Sequence, residues 1–401
     1  MPCWPATTPW TNTPGDHVFG KGCQRDPVRS THAFTAFRWG HKWVVLAVLV
    51  RFPFSRRPWA LPLLVALYHN RADDKKAGRP HKTPPQLLRQ LCTVLLRWFP
   101  QRCFLLTGDG NYATHELARF AARQGERLSL VSPFYTDANL YEPPPPYQGR
   151  GRPRIKGAKL PTPQEVVARS PRTALHVAWY GGGRRDVAIV TGVGQWYQAG
   201  QGLVAVRWVF VHDVTGTHRD SYFPTTDVGM TATAVIATYT GRWNLETTFQ
   251  EMRSGLGLET TRGWKERTVL RVAPCLFGLY TPVAALYSRL PRRYTRRWAV
   301  AWPGKRDVTF SDALTAVRRW LWVEWVYAIQ KSFRPWPKAQ SAAGCGWNGF
   351  LQSLDTSASL KNSPGHSATC CCTALLPLPE PLIMGRSRVE MTSVSPFRPA
   401  E

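Results

Sequence analysis

One acidic residue in this chain stands between basic and aromatic neighbours at helical spacing. In YTGRWNLETTFQEMRSGLGLE, which begins at Tyr239, the residues Tyr239, Arg242, Glu246, Gln250 and Arg253 follow at steps of 3, 4, 4 and 3. Read as a helix, those steps stack five polar side chains along one stripe. Leu245, Phe249 and Met252 fall on the opposite side, where a core would take them. A carboxylate so placed suits a metal ligand whose neighbours grip a phosphate chain. The same spacing also describes an amphipathic surface helix with an internal ion pair.

A second carboxylate also stands out. Asp109, in LLTGDGNY, ends an apolar strand with glycine on both sides. A strand tip of that kind projects its side chain into an open cleft, where α/β folds place ligands. Asp-Gly is equally one of the commonest turn pairs, so a plain turn aspartate accounts for it too.

Taken with their identities, these residues point to a family. Tyr, two residues, Arg, three residues, Glu, six residues and then a basic residue resembles the signature of DDE transposases encoded by bacterial insertion sequences. The family pattern ends in Lys where this chain has Arg253, which keeps the charge but changes the donor geometry. Asp109, Gly110 and Tyr112 match the family's motif around its second Asp. RLSLVSP, a Pro/Arg/Gly-rich stretch, a β-rich region and FPTTD follow in the order seen in the DDE superfamily endonucleases. The resemblance spans about residues 5–290, and the helix motif is its specific part.

The resemblance implies a ribonuclease H-like fold, an α/β structure with a mixed sheet flanked by helices and a β-rich insertion before the glutamate-bearing helix. It implies metal-dependent strand cleavage and transfer, using two Mg²⁺ (or Mn²⁺) ions about 4 Å apart. Such ions favour oxygen ligands, so Asp and Glu suffice. On this reading Asp109 and Glu246 are catalytic metal ligands, Arg242 and Arg253 contact phosphate, and Tyr239 packs on the sugar–phosphate chain. Trp243 suits either that surface or the core. The implied partners are DNA, as transposon ends and target, and a second copy of the chain in a homodimer on DNA. The implied setting is a bacterial cytoplasm, at the nucleoid, with no membrane partner.

At one position the chain departs from the family, whose bridging Asp lies on the first strand in an Asp-Asp-Thr-Pro-like motif. The matching stretch here is PATTPWTNTPG, with Thr7 where that Asp belongs. Residues 1–100 offer only Asp16, Asp26, Asp73 and Asp74 as acids. Asp16 sits in a Pro/Gly turn, and Asp26 lies beside Arg25 and Arg29 in an expected ion pair. The helical N-terminal DNA-binding region usual in the family is not found. The expectation is a truncated or mutated, cleavage-defective transposase, with a non-catalytic DNA-binding remnant as the alternative. Asp213, at the end of WVFVHD, reads as a turn residue, Asp227 as a helix cap, and His41 as structural.

Composition agrees with a polyanion partner. Lys plus Arg total 52 against 25 Asp plus Glu, a net charge of +27 with pI about 10.3. Arg outnumbers Lys roughly three to one, which favours bidentate phosphate contacts. Charge alone leaves RNA, ribosomes or an anionic membrane surface open. No run of 18 apolar residues exists, and the N-terminus lacks the charged and apolar regions of a signal peptide. The 9 cysteines form no CxxC pair, so neither a zinc site nor a complete disulfide framework is expected.

These residues need elements to hold them. WVVLAVLV at 43–50 and the apolar stretch after RFPFSRRP read as two strands, and HKTPPQLLRQLCTVLLRWFP reads as a helix opening at its prolines. CFLLTGDGNYATHELARFAARQG is strand, turn and helix, and SLVSPF another strand. Four segments result: the first part of the core at 1–142, a basic linker and β-rich insertion at 143–229, the rest of the core at 230–330, and a disordered tail at 331–401. Residues 1–30 read as irregular by composition, 143–172 as loop or linker, and TALHVAWY, RDVAIVTG and LVAVRWVFVHD as antiparallel strands. A single helix is expected at about 230–254, with further helices near 268–288 and over LTAVRRWLWVEWVYAIQK.

Overall fold

The apolar run at 43–50 lies in the middle of a sheet covered on both faces. In the computed structural model, which describes residues 3–7, 10–12, 17–25, 33–149, 152–296 and 301–332, this run ends the long strand β4 (Phe37–Val50). Val44 and Leu46 point into one core, while Trp43, Val45 and Ala47 point into another. Burial on both faces turns a period-2 strand into an unbroken apolar string.

Three short strands precede β4: β1 (Cys3–Thr7), β2 (Trp10–Asn12) and β3 (Gly22–Arg25), each antiparallel to it. They correct the expectation of irregular structure over residues 1–30. Pro5 and the threonines hide the apolar alternation of a strand. Pairing on two sides holds β1 instead: antiparallel to β4, and parallel to β6 (Phe104–Gly108). β5 (Trp59–Tyr68) returns antiparallel along β4, and β7 (Leu128–Val131) runs parallel to β6.

The β-rich region extends this sheet. β12 (Ser221–Thr225) joins β7 to β11 (Gly202–Asp213), which pairs with β10 (Arg184–Gln198). β8 (Leu140–Tyr141) and β9 (Thr173–Ala178) complete a mixed sheet of 12 strands among the described residues.

Helices cover both faces. α1 (Arg71–Lys76) leads into α2 (Pro84–Trp98), whose start is fixed by a Thr83–Gln86 capping box and two prolines. With α3 (His115–Arg123), α2 buries one face. α4 (Pro163–Arg169) forms inside a segment expected to be loop. Its Thr162–Glu165 capping box and Pro163 start were legible cues in a basic, apolar-poor stretch.

The stripe expected as one helix is two: α5 (Ala232–Gly241) and α6 (Asn244–Leu256). Between them Arg242 N–H donates to Tyr239 O at 3.1 Å and Trp243 N–H to Thr240 O at 3.3 Å. Both bonds reach back three residues, so a tightened turn interrupts the ladder just after Gly241. α7 (Glu266–Tyr287), α8 (Arg292–Thr295) and α9 (Phe310–Ser332) follow. Leu245, Phe249 and Met252 of α6 are buried with α7, α9 and β5, as the spacing predicts.

The mixed α/β architecture, a mixed sheet flanked by helices, agrees with the ribonuclease H-like expectation. By length and composition α7 alone among the described residues could cross a membrane. Its Val269, Ala273, Phe277, Tyr280, Ala284 and Tyr287 line a core face, which makes a membrane span a poor reading. Met1–Phe333 form one compact unit; of the tail expected to be disordered at 331–401, residues 331 and 332 end α9 and the rest lies outside the described residues.

Candidate active site

β6 delivers Asp109. All five residues of the strand are buried, and Gly108 closes it against Tyr112, where an added Cβ would meet the tyrosine Cβ at 2.7 Å. The chain then turns sharply into a single 3₁₀ turn, Gly110–Tyr112. Asp109 starts that turn, its Oδ1 accepting from Asn111 N–H at 2.8 Å. The turn role and the strand-tip position therefore coexist in one residue.

Glu246 lies in the first turn of α6, its side chain 36% exposed. Its Oε1 accepts from Arg242 Nη1 at 2.9 Å. Arg242 is buried, and its guanidinium lies over the Tyr239 ring at 5.5 Å. Burial works against the arginine charge, but Tyr239, Glu246 and Asp109 outweigh it and hold the pKa above its usual value. Asp109 and Glu246 thus act on the same guanidinium. The same two acids act on Tyr239, whose hydroxyl pKa is raised, first by burial.

Two neighbours had no sequence signal. Tyr180, in the turn after β9, has its pKa pushed up to about 12 by burial, with Tyr239 and Glu246 adding to the shift. Lys42 of β4 has its pKa lowered by burial, and Asp109 opposes that shift. Only a coming-together of distant strands creates either environment.

Residues 6–186 match the family model of the DDE superfamily endonucleases, just under half of the chain. The matched segment holds Thr7 and Asp109 and stops before α5, so Glu246 and its helix motif lie beyond it. Among solved structures, the chain is similar to a piggyBac transposase in a synaptic complex with hairpin DNA, at 10% identity and a TM-score of 0.37. That likeness covers 91% of this chain but 59% of the other, and its score is too low to bear on function. No curated protein matches the chain.

Within the matched segment, the sheet register gives Thr7 its setting. Ala6 pairs with Gly108 across parallel strands, and Thr7 pairs with Val45 on the other side. Thr7 and Asp109 therefore follow at neighbouring strand ends, on strands about 4.8 Å apart. Asp16 and Asp26, including the expected Asp26 ion pair, lie outside the described residues. Asp73 and Asp74 lie on α1, where buried Asp74 meets His81 Nδ1 at 3.0 Å and Arg79 at 3.4 Å.

The remaining expected residues divide by exposure. Arg253 is exposed at the end of α6 and pairs with Glu259 at 2.7 Å. Tyr239 is half-buried against Phe223 of β12, ring centroids 4.2 Å apart. Trp243 is exposed, its ring edge-on to Tyr180 at 5.9 Å. Asp227 does not cap α5: it accepts from Gly229 N–H, and Thr231 makes the cap. Asp213 is buried in a turn, accepting from Arg185, Thr215, Thr217 and His218 N–H. His41 Nε2–H donates to Phe19 O, 2.8 Å away, and burial lowers the histidine pKa.

Asp109 and Glu246 supply the hard oxygen donors that a Mg²⁺ or Mn²⁺ ion takes. Among the described residues, no group of three or more His, Cys, Asp or Glu is placed to hold a metal. The three carboxylates that a two-ion arrangement requires are therefore not brought together among the described residues.

Proposed function

We propose that this chain is a DNA-binding transposase of a bacterial insertion sequence whose strand cleavage and transfer are defective. Asp109 and Glu246 hold a single Mg²⁺ or Mn²⁺ ion, and that ion supplies positive charge at a scissile phosphate. Arg242, stacked on Tyr239, donates to Glu246 and offsets its charge. Arg253, exposed on the helix that carries Glu246, contacts the phosphate chain. DNA ends and target are the substrates, engaged by two copies of the chain, in a bacterial cytoplasm.

This reading is supported by the family match over the segment that carries Asp109 at a strand tip and by the 2.9 Å Arg242–Glu246 bond, with both acids acting to raise the Arg242 pKa. Charge adds to it, since a surplus of +27 needs a polyanion. The proposed defect rests on register, Thr7 following Ala6, which pairs with Gly108 just before Asp109. That position also favours a second reading, in which the chain is a DNA-binding remnant without any cleavage. Restoring the carboxylate tests both. Thr7→Asp should gain Mg²⁺-dependent nicking of the element's terminal repeats while the parent chain binds them without cutting. Nicking by the parent chain would refute the defect. A Thr7→Asp protein that binds but stays inert would leave the remnant reading.

A further inference from the structure

A cationic cleft lies beside the candidate site and has no part in it so far. A cavity of about 440 Å³ opens between the β4–β5 turn with Arg56 and Arg57, the Gly181–Gly183 turn after β9, and the loop before α9. Its floor is anchored to the helix that carries Glu246. Arg57 Nη2 donates to Glu251 Oε1 at 2.7 Å, and Tyr280 Oη donates to Glu251 Oε2 at 2.6 Å. A further donor of this wall, Arg57 Nη1, is buried without a hydrogen-bond partner.

The rim is the part that recognises. Arg56, with its side chain 68% exposed, donates from Nε and Nη2 to Asp307 Oδ2 at 2.9 and 2.8 Å, and from its backbone N–H to Oδ1 at 3.0 Å. Arg306 is exposed, and no acid among the described residues pairs with it. The facing wall is bare backbone. Gly181 and Gly182 take φ of 68° and 81°, and a Cβ on Gly182 would lie 3.6 Å from Arg56 O. A side chain there would be strained and would narrow the cleft.

We propose that this cleft binds a phosphate of the nucleic-acid backbone, a few nucleotides from the carboxylates, an inference that rests on the DNA reading above. Three guanidinium groups and a wall free of side chains suit a tetrahedral oxyanion, which takes paired N–H donors from arginine. Asp307 stands on Arg56 as a carboxylate would in place of that phosphate. Position agrees with chemistry. Glu251 and Glu246 are five residues apart on α6, about 7.5 Å along its axis. Successive phosphates of one strand rise about 3.4 Å. Tyr180 bridges the two places, adjoining Gly181 and meeting the Trp243 ring. A strand leaving the carboxylates across Tyr180 and Trp243 reaches the cleft.

The test uses the full chain, a short duplex of arbitrary sequence, and fluorescence anisotropy over a series of salt concentrations. Arg306→Gln and Arg56→Gln should each weaken binding and reduce the log–log salt slope by about 0.9. Asp307→Asn should tighten binding, because it removes the competing carboxylate. Thermal midpoints of all three check that they remain folded. Parent-like affinity and slope in all three folded variants would overturn the cleft and leave the DNA reading standing. A parent chain with no salt-dependent DNA binding would overturn both. Inorganic phosphate supplies the last arm. If it raises the thermal midpoint of the parent but not of Arg306→Gln, and the DNA slopes match, the cleft binds free phosphate and the strand proposal fails.

Discussion

Arg242→Met should make the protein depend on a divalent ion. The arginine is buried and donates to Glu246 across 2.9 Å. Breaking a fully buried pair costs about 3–5 kcal/mol, whereas exposed pairs contribute about 1 kcal/mol or less. Glu246 is 36% exposed, so water screens part of the loss and about 2 kcal/mol is expected between those limits. Methionine keeps the apolar stem, so the change reads charge more than volume. Asp109 and Glu246 then lack their internal cation. If they converge on one ion, Mg²⁺ at a hundredfold its dissociation constant returns about 2.7 kcal/mol. In the parent chain Arg242 competes with that ion, and the gain should be smaller. Urea unfolding of both proteins, with and without Mg²⁺, measures the difference. Equal Mg²⁺ shifts in the two proteins would refute the competition and with it the shared ion. An Arg242→Met protein as stable as the parent without Mg²⁺ would refute the contribution of the Arg242–Glu246 bond.

Further outcomes are expected elsewhere in the molecule. Trp243→Ala should weaken binding of single-stranded DNA by about 1–3 kcal/mol, the range for one base–aromatic stack, with little change in thermal midpoint because the ring is exposed. Unchanged affinity in an anisotropy titration would return Trp243 to a packing role against Tyr180. Asp213→Asn should cost about 3 kcal/mol, since it leaves Arg185 beside a neutral amide in a buried turn. Burial pushes the Asp213 pKa up, but hydrogen bonds from Thr217, Thr215 and Arg185 prevail and hold it well below the usual range. Its stabilisation is therefore complete above the unfolded value of about 3.9 and drains away as pH falls toward the lower folded value. Stability measured from pH 7 downward should fall less steeply below about pH 4 in Asp213→Asn than in the parent. Parallel curves would remove Asp213 from the acid response.

Elements with their own local signals were legible. α2 announces itself by Thr83, two prolines and Gln86, and β4 by an apolar run too short for a helix in a membrane. β1 gave no such signal, because its stability comes from two neighbouring strands distant in sequence and its own residues include Pro5. The interruption between α5 and α6 was hidden for a related reason. Gly241, Arg242 and Trp243 keep the spacing of a continuous helix, and only the backbone bonds show the three-residue reach. The stripe consequently turns inward at Arg242 and outward again at Arg253, a change that residue spacing cannot report.

The proposed lack of a third carboxylate has a consequence for charge. Asp109 and Glu246 bring two negative charges, and Arg242 beside them returns one positive charge. One divalent ion takes that local balance from −1 to +1, and a second would take it to +3. Two doubly charged ions about 4 Å apart repel by about 17 kcal/mol at an effective dielectric of 20. A third carboxylate at the end of β1 would attract both ions at once. Thr7, an uncharged residue, stands at that register position, and Lys42, within the field of Asp109, adds positive charge on the adjacent strand. On the proposed reading, no further carboxylate among the described residues joins Asp109 and Glu246 to balance a second ion. Calorimetric titration should find one Mg²⁺ per chain in the parent and two in Thr7→Asp, and two in the parent would break the link between the β1 residue and the defect.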